Sequence, residues 1–388
     1  MKLKHKKIVN RAIVVAVLAT LIVILSLLKT NAFIREYVFV RGWSRAYIYL
    51  ASNITSVFPF SVFEVLIYLI IITLIWLIVR WSRLLSRRKG TKVAKEAMNL
   101  LIALMVVILL YTSTASFSYY RDPLPLPLYQ GEQLNEQQTE EIIRYHFDEF
   151  RKASDMVKRD DKGKVVLPYS FSELNEILIA EYKRIGSLNG YLMEYTPRVK
   201  KIGASMVMNY QGFTGVAVTP TGEANINKHT PVNYLILTMA HELAHIKGIM
   251  NENEANLIAY YLALTSDNIY LKYAGYMYTA GRLLEMAYFA FDPEKFSEMC
   301  KLYPEQADKE YEMELSFWDQ FVSPLEKISE FINDLYLKSS GLEEGTGSYI
   351  DSSEKEVIIN PETGNYEYVM VEYSPMQKAL IEIYLANK

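Results

Sequence analysis

The 388 residues carry 41 Lys and Arg against 44 Asp and Glu, and 51% of them are hydrophobic, enough for one large or two ordinary domains. The charge is divided along the chain: residues 1–121 hold 17 basic and 3 acidic side chains, whereas residues 122–388 hold 24 and 41, a net −17. An acidic bulk behind a basic, apolar front points to a lipid bilayer and argues against nucleic acid as a partner.

In chain order, residues 1–121 read as a membrane domain. Ala12–Leu28, Val62–Val79 and Ala97–Ala115 are each close to the ~20 apolar residues that cross a hydrocarbon core. Three transmembrane helices are therefore expected, at about 12–28, 62–79 and 97–115, with Trp76 and Trp81 as interfacial aromatics. Lys2, Lys4, Lys6, Lys7 and Arg11 precede the first span, and seven basic residues from Arg80 to Lys95 separate the second from the third. The loop after the first span holds four: Lys29, Arg35, Arg41 and Arg45. This bias places the N-terminus in the cytoplasm and the rest of the protein outside, in a multi-pass protein of the cytoplasmic membrane. No A-x-A cleavage site follows the first span, so it reads as a retained anchor.

Residues 122–128 include PLPLPL, which cannot continue a helix and is expected to lift the next domain off the bilayer as an extended spacer. Residues 129–388 then read as mainly α with a small β-sheet. Asn135 with Gln138 and Ser170 with Glu173 mark two helix starts in capping-box spacing. Between Arg198 and Asn227 the pattern turns β-branched and glycine-punctuated, notably at Ile202–Asn209 and Phe213–Thr219. A small sheet ahead of the next helix follows, with Gly215, Val216, Ala217 and Val218 as one of its strands.

His241, Glu242 and His245 form H-E-x-x-H within the helix-patterned run Tyr234–Lys247. Thr230 reads as the N-cap, Pro231 as the first helical residue and Gly248 as the C-terminal stop. Histidines at i and i+4 share a helix face, roughly 6 Å apart along the axis, so both imidazoles can hold one zinc ion. Glu242, beside the metal, is placed to take a proton from the attacking water and pass it to a leaving amine.

A second helix begins with Asn251 as cap and Glu254 three residues later, and so short a turn makes the two helices antiparallel. Zinc needs a third protein ligand, for which Glu252 and Glu254 are the candidates. Glu252 shares its face with the small Ala255, Ala259 and Ala263 and is the expected ligand; Glu254 is the expected cap and the alternative ligand. Asn256, one turn beyond Glu252, is a candidate to hydrogen-bond a ligand from outside the metal's own shell.

Helical patterns resume from Asp267 to Lys338, and Glu356–Tyr373, around Asn360–Gly364, reads as a hairpin. Cys300, the single cysteine, excludes an intrachain disulfide framework and reads as a packed thiol. His146 and His229 read as ordinary polar residues. With no histidine after His245, an oxyanion would need another donor; Tyr349, Arg282 and Tyr260 are candidates, each read first as structural.

The run H-E-L-A-H followed by E-N-E-A-N-L-I-A at Glu252–Ala259 resembles the E-x-x-A-[DN] second signature of zinc peptidases of the HtpX and ImmA/IrrE types. In those families the first Glu is the third ligand, and the resemblance again implies Glu252; their sheet also offers an edge strand to an extended substrate, which makes Gly215–Val218 the candidate for that role, the alternative being a plain structural strand. The whole layout is more similar to an uncharacterised bacterial family, domain of unknown function 3810. That family has membrane spans, then T-G-x-x-x-x-P-x-x-E-A-N-x-N ahead of H-E-x-A-H-x-x-G. The middle element here is Thr214–Asn227, and Asn333–Tyr349 also resembles that family, which supplies no substrate.

The reading that results is a zincin-like metallopeptidase domain on a membrane anchor. One zinc would be held by His241, His245 and Glu252 with the fourth position open, and Glu242 would be the general base on a peptide or protein substrate. The alternative is a catalytically silent zinc-binding membrane receptor or assembly protein. Glu242 favours chemistry, because it ligates nothing and has no structural duty evident in the sequence.

Overall fold

Three long apolar helices open the chain in the computed structural model, which describes residues 2–359 and 366–388. They are α1 (Lys2–Leu28), α3 (Val62–Ser86) and α4 (Gly90–Ser118), with α2 (Arg45–Ser56) between the first two. The apolar side chains of α1 and α3 are turned outward almost throughout, Leu77 of α3 being the exception among the described residues. An apolar surface turned outward in this way calls for lipid as its solvent. At 1.5 Å per residue the 25 residues of α3 and the 29 of α4 reach about 37 and 43 Å, more than the ~30 Å hydrocarbon core.

The spans are tied at both ends. Arg11 Nε donates to Asn99 Oδ1 at 2.7 Å and Lys29 Nζ to Ser116 Oγ at 2.5 Å, so α1 and α4 run parallel. The α3–α4 hairpin is closed by the Arg80–Glu96 pair at 2.8 Å. The end of α1, the start of α3 and the end of α4 consequently share one side, where the rest of the chain lies.

The segment after α1, read as a loop, is instead a π-helical stretch at Ile34–Ser44 running into α2. The expected spacer also behaves differently. Pro123–Leu128 is extended, but Leu124 and Leu126 are buried, and Leu124 N donates to Glu254 Oε1 at 2.9 Å. Proline at alternate positions leaves few amides to satisfy, and the period of two turns both leucines inward, so the segment packs down rather than standing off.

The sequence puts helix starts where expected at α5 (Glu136–Met156) and α6 (Phe171–Ile185), both with complete capping boxes. A three-stranded sheet follows in the order β1–β3–β2, from β1 (Lys200–Ile202), β2 (Gly215–Val218) and β3 (Glu223–Asn227). β3 is central and fully buried, parallel to β1 and antiparallel to β2. Ile202–Asn209, expected as strand, becomes the short helix α7 (Ser205–Gln211). The cause lies at the membrane: the Glu64 carboxylate, in the first turn of α3, accepts the amides of Gly203 and Ala204 at 2.7 and 2.8 Å. That holds the turn that starts the helix. Glu223 does the reverse, accepting the amides of Val62 and Phe63 at 2.9 and 2.8 Å and so satisfying orphan donors at the N-terminus of a span.

Helix α8 (Val232–Ile246) and α9 (Glu252–Leu264) form the centre of the core, where Leu243, Ala244, Ala255, Ile258 and Leu262 are wholly buried. Around them lie α10 (Ile269–Ala290), α11 (Pro293–Cys300), α12 (Glu305–Asp319) and α13 (Pro324–Ser340). β4 (Glu354–Ile359) pairs antiparallel with β5 (Tyr366–Glu372), followed by α14 (Pro375–Asn387). The strands are those of the expected hairpin; its turn at Asn360–Gly364 lies outside the described residues.

Candidate metal centre

Helix α8 starts one residue later than the sequence suggested. Pro231, extended at ψ 147°, is itself the N-cap, its carbonyl accepting Leu235 N at 2.7 Å, and the Thr230 hydroxyl is buried without a partner. The C-terminus is a Schellman motif. Gly248, at φ 101°, donates to His245 O at 3.0 Å, and Ile249 N donates to Ala244 O at 3.1 Å. This turn directs the carbonyl of Ile249 back to His245, whose Nδ1 lies 2.6 Å from it. A carbonyl can only accept, so Nδ1 carries the hydrogen, and in the neutral ring that metal binding requires Nε2 has the free lone pair.

Helix α9 runs back along α8, with Asn256, Ala259 and Tyr260 sharing a cleft with His241, Thr238 and Tyr234. Its first residue, Glu252, meets the histidine turn. His241 Nε2 and His245 Nε2 stand 3.0 Å apart, and Glu252 Oε2 is 3.3 Å from each. Tetrahedral ligands at 2.0–2.1 Å from zinc stand about 3.3–3.4 Å apart, so the triangle is sized for such an ion. Glu252 Oε2 is buried with no hydrogen-bond partner, a costly state for a carboxylate oxygen that a cation at the triangle's centre would relieve. The residues fit the metal.

The electrostatics agree. Burial alone would push the Glu252 carboxyl up, but the two histidines hold it well below the usual carboxylate range. Burial would lower His245, and the carboxylates of Glu252 and Glu242 outweigh it and raise it. The site thus prefers a positive charge among these three side chains. Glu242 differs: burial pushes its carboxyl up, opposed by the histidines and by a hydrogen bond from the Ala217 amide.

Glu254 does not close the capping box. Asn251 Oδ1 accepts Glu254 N at 3.1 Å, but the Glu254 carboxylate turns away to Arg121 at 3.3 Å and to Leu124 N. Asn256, expected to bond a ligand, donates instead to the carbonyl of Tyr349 at 3.3 Å. The Tyr349 hydroxyl accepts from Asn333 Nδ2 at 3.4 Å and lines a cleft with Glu252, and burial with the nearby carboxylates raises its phenol, so it stays a neutral donor. Of the three candidate oxyanion donors, Tyr349 and Tyr260 line the cleft of 580 Å³ beside His241 and Glu242. Arg282 is engaged elsewhere, 3.1 Å from Asp351.

β2 is the sheet edge facing this cleft. Thr214 O accepts Asn227 N at 2.8 Å, which makes 216 and 218 the inward-bonded positions of the antiparallel pair. The backbone groups of Gly215 and Ala217 therefore point off the edge. His146 is buried between Tyr276 Oη at 3.1 Å and Leu380 O at 2.8 Å, and it takes no part in the site. Neither does His229.

Two contributions escaped the sequence reading. Tyr119, at the end of α4, and Tyr336, on α13, wall the far side of the histidines with Met250 in a second cleft of 300 Å³. Tyrosines are so numerous here, 30 in all, that no spacing singled these out.

A family model described as "Protein of unknown function (DUF3810)" matches residues 39–352. The chain belongs to the DUF3810 family. The match takes in α3, α4 and the whole candidate centre, from β2 through the histidine helix to Tyr349. Within it, the E-A-N-I-N run is β3: Glu223 caps α3, and Asn227 Nδ2 holds Phe213 O at 3.1 Å just ahead of the edge strand. No curated protein and no solved structure matches the chain.

Proposed function

We propose that this DUF3810 protein is a membrane-anchored zinc metallopeptidase that hydrolyses peptide bonds of a membrane or cell-envelope protein. The observation that carries the reading is the His241–His245–Glu252 triangle with an unpartnered carboxylate oxygen, next to a buried fourth residue, Glu242, that is outside the triangle. A receptor needs only the triangle.

Zinc, when bound there, would supply Lewis acidity to the scissile carbonyl and make a water acidic enough to attack near neutral pH. Glu242 accepts the proton from the attacking water and delivers it to the leaving amine, the role open to a buried carboxylate that stands beside the triangle without belonging to it. A new C–O bond forms at the carbonyl carbon, the C–N bond breaks, and the nitrogen leaves protonated. The outward N–H and C=O of Gly215 and the C=O of Ala217 align an extended substrate by strand addition, while the Ala217 amide faces Glu242. Tyr349, with a neutral O–H beside Glu252, donates to the oxygen that gains charge.

The orientation proposed is N-terminus in the cytoplasm and metal domain outside the cytoplasmic membrane. The four basic residues that weakened the charge bias are partnered on the domain side: Lys29 with Ser116, Arg35 with Asp122, Arg41 over the Tyr191 ring and Arg45 with the carbonyls of Gly190 and Tyr191. The other basic residues of the membrane domain, Lys2 to Arg11 and Arg80 to Lys95, lie at the other end of the spans.

The test is a comparison of membrane and secreted proteomes from cells carrying wild type or Glu242→Gln. Fragments that form only with wild type are expected. Full complementation by the Gln variant with no fragment differing would replace this reading with the silent receptor.

A further inference from the structure

Helix α13 has two faces. Glu326, Glu330 and Asn333 line the metal cleft, and Leu337 beside them is wholly buried. On the opposite side Leu325, Ile328, Phe331, Ile332 and Leu335 are 52–69% exposed. At about 100° per residue these five fall within about 120° of arc, a continuous apolar stripe. Lys327 and Lys338, both exposed, border it along one side, with Lys338 2.9 Å from Asp334.

The position of α13 says what meets that stripe. Tyr336 Oη lies 2.9 Å from Tyr119 Oη and 3.2 Å from Tyr111 Oη, and Ser340 Oγ lies 2.8 Å from Tyr111 Oη. Tyr111 is eight residues before Tyr119, about 12 Å down α4, and within the apolar run of that span. The C-terminal half of α13 thus lies beside the last two turns of a membrane helix, not above them. α7 continues the surface, with Met206 and Val207 about half exposed. It is tied to the first turn of α3 through Glu64 and to the start of α13 by Ser323 Oγ, 2.7 Å from Tyr210 O.

We propose that α13 lies in the interfacial layer of the bilayer, stripe toward the acyl chains and lysines toward the headgroups, as the membrane-facing wall of the metal cleft. Continuity with α3 and α4 and the lysine edge along one side of the stripe select lipid as the occupant. The cleft then opens at the membrane surface. Resting on the peptidase reading, its substrate class is the juxtamembrane segment of a membrane-inserted chain, which can reach β2 without leaving the bilayer.

The test is spin-label accessibility on the full chain in lipid nanodiscs, in a Cys300→Ser background. Labels at Phe331→Cys and Leu335→Cys are expected to relax faster with oxygen than with a water-soluble nickel chelate, as a label at Ile70→Cys within α3 does. A label at Glu312→Cys on α12 should show the reverse. Nickel-dominated relaxation at both 331 and 335 would overturn the proposal, and so would dipolar broadening between labels of two chains, which would make a second copy the occupant. Neither readout uses hydrolysis, so failure here would remove the substrate class and leave the peptidase reading to its own test.

Discussion

A Cβ on Gly215 would stand 2.6 Å from Cγ of Glu242 and 2.7 Å from Cγ2 of Thr238. The edge strand and the histidine helix are in contact there, and only glycine fits. Gly215→Ala must push Glu242 aside or β2 outward, an overpacking that costs about 1–3 kcal/mol. The expected outcome is a folded protein that keeps its metal and loses most of its hydrolysis, checked by metal content and turnover on one preparation. Wild-type turnover would mean that the strand can retreat at no functional cost.

Glu252 and Glu254 should part company. Ligand-supporting partners alone are worth about 10- to 100-fold in metal affinity, so Glu252→Gln, which alters the proposed third ligand, should weaken retention by at least about tenfold. Glu254→Gln should retain metal and lower stability by about 1–3 kcal/mol, because it removes the partner of a nearly buried Arg121. Competition with a chromogenic chelator and thermal unfolding separate the two effects.

Most of the site was legible in the sequence because its chemistry is local. An i, i+4 histidine pair and a carboxylate a short turn later constrain one another through helix geometry alone. What was not legible depends on distant chain. Glu254 satisfies a capping pattern, yet Arg121 and Leu124, more than a hundred residues earlier, claim its carboxylate. Ile202–Asn209 has strand composition, but Glu64 of a membrane helix holds its first turn. The PLPLPL run is extended as read, and only the position of the core shows that its leucines face inward.

Tyr349→Phe removes one oxygen from a residue whose backbone Asn256 fixes. Metal content should be unchanged within error while turnover falls about 10²-fold or more, the scale for one oxyanion donor. An equal fall in metal content would make Tyr349 a support for Glu252 only.

Burial pushes the Glu314 carboxyl up to about 7, with Tyr278 and Asn233 as its hydrogen-bond partners. Its folded value lies above its unfolded one, so the folded state holds the extra proton and this stability is lost as pH rises from about 5 through 7. Glu314→Gln should be more stable than wild type by on the order of 1–3 kcal/mol at pH 8 and show little gain at pH 5. His146, lowered by burial to about 4, drives stability the opposite way, so the wild-type-minus-variant difference is the quantity to follow.

Orientation is checked with an impermeant thiol reagent on intact cells carrying single cysteines in a Cys300→Ser background. Leu126 is buried and unsuitable, so Glu132→Cys, in an exposed stretch, reports the domain side and Ser86→Cys the basic hairpin. Labelling at 132 on intact cells and at 86 only after lysis is expected. The opposite pattern would place the metal domain in the cytoplasm.

The most direct measurement is the metal content of the purified full chain after dialysis against zinc and then against metal-free buffer. About one zinc per chain is predicted for wild type and Glu242→Gln, and none for His241→Ala or His245→Ala. Zinc-free wild type, or zinc retained without either histidine, would contradict the account.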